Sequence, residues 1–203
     1  MKFYRAIEGL RLDEYLQLEQ DLAKQVQEPT VFTWVVAPTV IFGQHQIREQ
    51  EVNEAYCREH GIHIVQRKSG GGCVYADEGN VMVSFLVPTE HVRQTFEQYM
   101  ALMAEVLRKM GYPAVTTEHN DILVDGHKVS GAACYSVGNV AIVHATMLYD
   151  VNLEALQQAI TPSAAKLAKH AVSSVRQRVT NLRTIHDLGT TLEFRKQLEQ
   201  MLK

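Results

Sequence analysis

The stretch RKSGGGCVYAD, residues 67–77, places three successive glycines between a basic pair and a short apolar segment. Glycine has no Cβ and adopts positive φ without strain, so a glycine run lets neighbouring backbone N–H groups converge on an anion. Arg67 and Lys68 add positive charge beside the run. The stretch therefore predicts an anion-binding loop, and a plain tight turn between two strands is the alternative interpretation.

About fifty residues further on, the segment NDILVDGHKVSG, residues 120–131, has the pattern of a β-hairpin. Its Asp125-Gly126 pair lies between two apolar runs, which is a strong hairpin signal. Lys128 then falls at the start of the second strand. From this segment alone, Lys128 is either a functional cation or an ordinary solvated lysine.

Apolar periodicity predicts alternating helices and strands, and no linker rich in proline, glycine or serine divides the chain. We expect strands over residues 31–36, 62–66 and 81–87, then further strands through Leu148 that are joined by turns at 125–126 and 137–139. Because hairpins favour antiparallel pairing, we expect one α+β domain over residues 1–203, with a mainly antiparallel or mixed sheet and flanking helices.

Three helices are predicted from apolar spacing and from the closing segment 191–202. The chain is also expected to return to helix after Asn152. The first apolar stripe consists of Leu12, Tyr15, Leu18, Leu22 and Val26, and the second of Phe96, Met100, Met103, Leu107 and Met110. Both stripes are interpreted as core rather than as ligand surface.

The bulk properties are those of a compact enzyme-sized domain. Of the 203 residues, 46% are hydrophobic and 21% are charged, and the net charge of −3 argues against a nucleic-acid partner. The three cysteines lack C-x-x-C spacing, so neither a disulfide framework nor a zinc site is indicated. With no signal peptide or membrane span in the sequence, we expect a cytoplasmic protein without a membrane partner.

The two opening segments together resemble the lipoate-protein ligase branch of the biotin/lipoate attachment-enzyme superfamily, whose signature strings are R-R-x-S-G-G-G-A-V-[YF]-H-D and N-D-[IL]-x-V-[DN]-G-[RK]-K-[IV]-S-G-S-A. Upstream, PTVIFGQHQ at 38–46 and EVN at 51–53 are similar to further family segments. Downstream, VHATML at 143–148 resembles H-H-G-T-L-L, and SSVRQRVTNL at 173–182 is similar to S-V-R-S-R-V-T-N-L. These ordered motifs span about residues 35–183, which is far more specific than one glycine loop.

The resemblance implies a biotin/lipoate-ligase catalytic-domain fold and activation of a carboxylate by ATP, followed by acyl transfer to a protein lysine. Lys128 would be the catalytic residue, touching both the phosphate and the acyl oxygen, and Asp121 would orient Mg²⁺. The nucleotide and phosphate would contact Arg67, Gly70, Gly71, Gly72, Cys73, Val74, Tyr75, Asn120, Asp121 and Lys128. The acyl substrate would contact Arg67, Lys128, His144, Ala145 and Thr146.

The implied substrate is lipoate or octanoate, and the implied acceptors are apo lipoyl domains of 2-oxoacid dehydrogenase E2 subunits and the glycine-cleavage H protein. Since the chain ends about twenty residues after Leu182, we expect no C-terminal accessory domain, and a separate accessory protein is a possible partner. Two alternatives stay open. One is a lipoyl or octanoyl transferase that uses a preactivated or carrier-bound donor, and the other is an acyl-adenylate binding module or one subunit of a two-chain ligase.

Some positions depart from the family strings. Gln66 replaces the first arginine of the pair, Ala76 a common histidine, Ala132 a serine, and Ala145 the glycine of H-G-T. Losing a cation should weaken anion binding, and the Ala145 methyl is expected to crowd the acyl chain. The family's transferases carry their cysteine where this chain has Ala141 or residues 116–119, so Cys57, Cys73 and Cys134 are interpreted as structural rather than acyl-carrying.

Overall fold

A computed structural model of the chain describes residues 1–89, 91–118, 120–160 and 179–203. Its strands are β1 Lys2–Phe3, β2 Thr30–Trp34, β3 Thr39–Phe42, β4 His63–Gln66, β5 Val74–Ala76, β6 Asn80–Pro88, β7 Ala114–Thr116, β8 Asp121–Val124, β9 His127–Val137 and β10 Val140–Leu148. Its helices are α1 Leu12–Ala23, α2 Arg48–Glu51, α3 Glu54–Glu59, α4 Val92–Lys109, α5 Leu153–Ala159, α6 Leu182–Ile185 and α7 Thr191–Leu202.

The strands form two sheets. The larger has seven strands in the order β1-β2-β6-β10-β9-β8-β7, and the smaller has three in the order β4-β3-β5. Neighbouring strands are antiparallel except for the parallel pairs β1–β2 and β3–β4. The predicted α+β class with a mainly antiparallel, mixed sheet is therefore confirmed.

The predicted hairpins are present in the large sheet. Asp125 and Gly126 both have positive φ, at 50° and 78°, as a two-residue turn of the favoured hairpin type requires. Gly138 has φ 57° in the turn between β9 and β10. These turns align β8, β9 and β10 as consecutive antiparallel neighbours.

Strands β6 and β10 form the centre of the large sheet and are covered on both faces. Alternate residues such as Val81 and Val83 pack with helices α4 and α7, whereas Met82 and Leu86 pack with helix α1. All nine residues of β10 are buried. The α1 face of this central pair is the face on which the candidate site lies.

Helix α1 differs from its predicted extent and orientation. It ends at Ala23 instead of continuing to Val26, and its buried residues are Leu12, Tyr15, Glu19 and Ala23. Leu18 and Leu22 are only partly buried at the edge of the same cluster. The buried face of α1 is therefore rotated relative to the predicted apolar stripe. The reason is Glu19, which is fully buried and accepts hydrogen bonds from residues of the sheet.

The small sheet was not predicted as a separate unit. Strand β3 pairs with β4 on one side and with β5 on the other, so the glycine stretch that links β4 to β5 passes over the end of β3. The outer side of this sheet packs with helices α3 and α5 in a third apolar cluster. Asn53 caps α3 by accepting a hydrogen bond from the Tyr56 N–H at 3.2 Å.

Within the described parts of the chain, none of the helices combines the length and the apolar character that crossing a bilayer requires.

The closing helix α7 is tied to the rest of the fold by Arg195. Its guanidinium donates two bonds of 2.9 Å to the Glu8 carboxylate and further bonds of 2.8 Å to the hydroxyl and carbonyl oxygens of Thr33. The Glu199 carboxylate lies 3.1 Å from Arg195 Nε. This residue therefore joins α7 to β2 and to the loop before α1.

We expect Arg195→Lys to lower the free energy of unfolding by about 1–2 kcal/mol, because one ammonium cannot replace a planar fork that serves several acceptors. Urea unfolding of both proteins measures the difference. Lys196→Ala on the exposed side of the same helix is the control and should change stability by less than about 0.5 kcal/mol. Equal stability of the two variants would contradict the role assigned to Arg195.

Candidate active site

The Arg67 side chain forms hydrogen bonds with the backbone of the glycine stretch. The side chain is 7% exposed, and its guanidinium donates to the carbonyls of Gly70 at 2.8 Å, Gly72 at 2.7 Å and Ile41 at 3.1 Å. Burial lowers the pKa of Arg67, but an arginine remains charged in proteins. Within the described residues it has no carboxylate partner, so its charge is balanced only by carbonyl dipoles.

The same contacts organise the loop for an anion. Within the described chain, the N–H groups of Gly70, Gly71 and Gly72 donate to no protein acceptor, while the carbonyls of Gly70 and Gly72 are engaged by Arg67. Adjacent unpaired N–H groups near a buried cation are typical of anion-binding loops. The arrangement is the one that an anion-binding loop requires, and anion binding by this loop stays a prediction.

Two glycines allow the loop to lie close to the small sheet. A Cβ on Gly43, directly after β3, would collide with the Gly71 carbonyl oxygen. Gly71 itself has φ 93°, and a Cβ there would lie 3.0 Å from Arg67 Nη2. A side chain at either position would displace the glycine loop from the small sheet or from Arg67.

A β-bulge decides where Lys128 points. In the β8–β9 pair, Ile122 is opposite Ser130 but Leu123 is opposite Lys128, so Val129 is an extra residue on β9. A bulge of this kind reverses the alternation of side chains along the strand. Lys128 consequently lies on the same face as Asp121 and Gly131, although Gly131 is three residues away.

Lys128 and Asp121 form an ion pair, with Nζ 2.7 Å from Oδ1. Their side chains are 30% and 26% exposed, so both reach open space rather than the core. A Cβ on Gly131 would lie 2.9 Å from the Lys128 ammonium. The absence of a side chain at Gly131 therefore leaves the room that the ammonium occupies.

These groups surround a cavity of about 240 Å³ on the α1 face of the large sheet. Its large apolar side chains come from α1, β2, β3 and β6, and its polar side chains come from β8, β9, β10 and the segments beside them, including the glycine loop. The large apolar side chains are Leu12, Leu16, Trp34, Ile41 and Met82, and the polar side chains are Arg67, Asn120, Asp121, Lys128, His144 and Thr146. Because β10 lies between β6 and β9, the strand order itself separates the apolar end from the charged end.

The cavity brings together nearly all of the predicted site residues. Those that line it are Arg67, Gly71, Gly72, Cys73, Val74, Asn120, Asp121, Lys128, His144, Ala145 and Thr146. Gly70 and Tyr75 do not line it. Tyr75 points the other way along β5, into the cluster with α3 and α5, and burial raises its pKa.

Two of the departures from the family strings have a simple structural account. The methyl group of Ala145 belongs to the core cluster on the opposite face of β10, and its backbone faces the cavity, so the expected crowding does not arise from the methyl. Gln66 is exposed and donates to the Gln44 carbonyl at 3.3 Å. It does not line the cavity, so the arginine missing at this position removes no charge from its lining.

A buried polar network beneath the cavity was not predicted. Glu19, fully buried on α1, accepts hydrogen bonds from Ser84 at 2.6 Å and Tyr135 at 3.1 Å. His144 Nδ1 lies 3.0 Å from the same carboxylate, and its Nε2 lies 2.7 Å from the Ser69 hydroxyl. The available signal was a glutamate four residues after Tyr15 on the apolar face of a helix.

Among the described residues, Asp121 is the side chain at the cavity that is compatible with a metal ion. In the described ranges no group of three or more histidine, cysteine, aspartate or glutamate side chains is arranged to hold one. Mg²⁺ in nucleotide sites takes one or two carboxylates and completes its shell with phosphates and water. Asp121, a carboxylate that lines the cavity beside Lys128, is compatible with that arrangement.

The last predicted segment is described only from Val179 onwards. Thr180 N–H donates to the Lys128 carbonyl at 3.0 Å, and the Asn181 side chain bonds both backbone groups of Val151 at 2.9 and 3.0 Å. The segment's end thus supports β9 at the position of Lys128. Residues 173–178 of that segment, and His119, lie outside the described residues.

The fold and the sequence of this chain are similar to those of known proteins. A family model for the lipoyl protein ligase A/B catalytic domain matches residues 6–203, so the chain belongs to that family. It is 31% identical over 192 residues to lipoate-protein ligase LplJ of Bacillus subtilis, covering 94% of this chain and 57% of that protein. It is 32% identical over 185 residues to lipoate–protein ligase 1 of Staphylococcus aureus, covering 89% and 56%.

Solved structures agree on the fold. A bi-partite lipoate protein ligase of Thermoplasma acidophilum, studied with its E2 lipoyl domain, has a TM-score of 0.79 at 25% identity and coverage of 99% and 81%. P. falciparum LipL1 in complex with lipoate has 0.78 at 26%, with coverage of 96% and 59%. Lipoate-protein ligase A bound with ATP has 0.79 at 23%, with coverage of 99% and 83%. The chain spans about half the length of the curated relatives it matches.

We expect Gly43→Ala to lower the free energy of unfolding by about 1–3 kcal/mol, because the new methyl group meets a backbone carbonyl that cannot rotate away. Amide hydrogen exchange should also become faster across residues 67–75. Gly70→Ala is the control, since a Cβ there meets nothing within 4 Å. An unchanged loop in Gly43→Ala would show that the contact with Gly71 does not constrain it.

Proposed function

We propose that this chain is the catalytic domain of a lipoate-protein ligase. It activates lipoate with ATP to give lipoyl-adenylate and pyrophosphate, then transfers the lipoyl group to a lysine of an acceptor protein with release of AMP. The observation that carries the proposal is the cavity in which an apolar wall meets a glycine loop, Lys128 and Asp121. The family match and the relatives named as ligases support it.

The size and lining of the cavity suit an acid with an apolar chain. At about 240 Å³ it is smaller than the ~300–1,000 Å³ of most small-molecule sites, so it holds a chain-like acid better than a whole nucleotide. The acyl chain would lie against Leu16, Trp34 and Met82. Its carboxylate would then reach the charged end, and the nucleotide would lie against the open glycine loop.

In the first step a carboxylate oxygen attacks the α-phosphorus of ATP, and the bond to the bridging oxygen of pyrophosphate breaks. Both reactants are anions, so the site must hold them together and stabilise added charge. The unpaired N–H groups of the glycine loop would hold the phosphate oxygens, with Arg67 keeping the loop in place. The Lys128 ammonium would balance charge between the phosphate and the carboxylate.

In the second step the acceptor amine attacks the acyl carbon, the bond from that carbon to the AMP oxygen breaks, and the amine loses a proton. Negative charge develops on the acyl oxygen and then on AMP. A lysine on a flexible stem can serve both positions in turn. Mg²⁺ would be held by Asp121 and phosphate oxygens, and it would supply charge neutralisation.

We propose lipoyl domains as acceptors, E2 subunits first, because a structural relative at 25% identity was studied with its E2 lipoyl domain. Lipoate as the acid is supported by the LipL1 complex at 26% identity. The H protein as a further acceptor, octanoate as a further acid, and a separate accessory protein belong to the same proposal. We also propose that the protein is cytoplasmic and that residues 1–203 form one catalytic domain.

The proposal is tested by intact-mass analysis of an apo lipoyl domain incubated with this protein, Mg²⁺ and lipoate. ATP is supplied in one reaction and synthetic lipoyl-adenylate in its place in the other. A lipoyl mass shift with ATP supports a self-sufficient ligase. A shift with the adenylate alone supports the transferase or two-chain alternative. No shift in either reaction contradicts lipoyl transfer by this chain and favours another acyl group or the binding-module alternative.

We expect Lys128→Ala to reduce transfer by about 100- to 1,000-fold, the cost of removing one preorganised charge from a reacting centre. Its melting temperature should stay close to that of the unchanged protein. Lys109→Ala is the control, because it also removes a 2.7 Å ion pair, Lys109 with Glu105, but on the exposed side of helix α4. Normal transfer by Lys128→Ala would rule out the role proposed for this lysine.

We expect Asp121→Asn to raise the Mg²⁺ concentration needed for half-maximal transfer by about tenfold, because an amide oxygen is a weaker ligand for a hard cation. Titration of Mg²⁺ at fixed ATP measures the shift. Asp125→Asn in the nearby hairpin turn is the control and should leave the titration unchanged. If both variants behave alike, Asp121 does not orient the metal.

A further inference from the structure

The buried network links helix α1 to the glycine loop through one imidazole. Glu19 Oε2 lies 3.0 Å from His144 Nδ1, and His144 Nε2 lies 2.7 Å from Ser69 Oγ. The three groups come from α1, from β10 and from the loop, and they are 0%, 6% and 1% exposed. A carboxylate, an imidazole and a hydroxyl in this order also occur in serine hydrolases.

A nucleophilic role for Ser69 does not fit its surroundings. The residue is 1% exposed and does not line the cavity, so an acyl carbon has no path to its hydroxyl. A nucleophile must lie within reach of the reacting atom. The trio therefore acts on the position of the loop rather than on the bond that is broken.

The Glu19 carboxylate determines which atoms of the trio carry the protons. Glu19 accepts from Ser84 and Tyr135, and burial together with the Glu19 charge raises the pKa of Tyr135, which therefore stays a donor. An acceptor carboxylate places a proton on His144 Nδ1, and in the neutral ring Nε2 then accepts from the Ser69 hydroxyl. With this tautomer Ser69 donates to His144, and His144 donates to Glu19.

The loop is consequently held from two sides. Arg67 engages the carbonyls of Gly70 and Gly72, whereas His144 engages the side chain of Ser69 just before them. The Ser69 carbonyl also accepts from the Gln44 N–H at 3.0 Å. Since His144 is on β10, the Ser69 bond ties the loop to the large sheet, which also carries Lys128.

We propose that Glu19 is a positioning residue of the activation step. Through His144 it holds Ser69, and with it the glycine loop, at the spacing from Lys128 that the phosphate requires. This inference rests on the proposed function for its chemistry, but the mechanical link can be measured without turnover. Removing either end of the link should release the loop by the same amount.

The test compares Glu19→Ala, Ser69→Ala and the double variant with the unchanged protein. The readouts are the KM for ATP and kcat in lipoyl transfer, hydrogen exchange of residues 67–75, and the melting temperature. Tyr135→Phe is the matched control, because it removes one bond to the same carboxylate and leaves both bonds of the link. Ser69→Ala keeps the test valid if Glu19→Ala folds poorly.

We expect each single variant to raise the KM for ATP by about 10- to 100-fold and to speed exchange in the loop. The double variant should be no worse than the worse single one, because both changes break one link. Tyr135→Phe should stay within about twofold, even if its melting temperature falls. Additive effects, or unchanged exchange in the loop, would overturn the inference.

The two proposals fail in different ways. If the unchanged protein transfers lipoate but the variants leave the loop and the KM for ATP unaltered, the ligase assignment stands and the role of Glu19 is wrong. If the unchanged protein transfers nothing while both variants still release the loop equally, the link is real and the ligase assignment is wrong.

Discussion

The fold around the site depends on one buried carboxylate. Glu19 is inaccessible to solvent, and a charge in that position is tolerated only when donors surround it. Those donors come from β6, β9 and β10, so burying Glu19 sets the rotation of α1 over the sheet centre. The same rotation brings Leu12 and Leu16 over the cavity as its roof. A polar constraint thus determines the shape of an apolar pocket.

Much of the architecture could be predicted from local pattern. The hairpin at Asp125-Gly126 and the helix at Thr191–Leu202 carry strong local signals, and both were confirmed. The small sheet could not be predicted, because its β3–β4 pairing is parallel and joins segments separated by two short helices. The rotation of α1 was missed because leucines were preferred to a glutamate as core residues.

The candidate site was predictable to the extent that its residues are adjacent in the chain. The glycine loop and the hairpin lysine are contiguous strings, so motif reading found them. Glu19, Ser69 and His144 interact across 125 and 75 positions, and only the folded sheet brings them together. The face of β5 on which Tyr75 lies, away from the cavity, likewise depends on how the strand pairs and not on the motif that contains Tyr75.

The bulge at Val129 has a consequence for anyone who transplants this hairpin. With regular alternation, Lys128 would share the side of Ser130, which is 1% exposed among core residues, and the ammonium would be driven into hydrocarbon. Because of the extra residue, side chains on the two sides of the bulge no longer follow the regular alternation between the cavity face and the core face of β9. A graft that copies the turn, Lys128 and Gly131 but omits Val129 would keep the charged groups of the hairpin and lose the site.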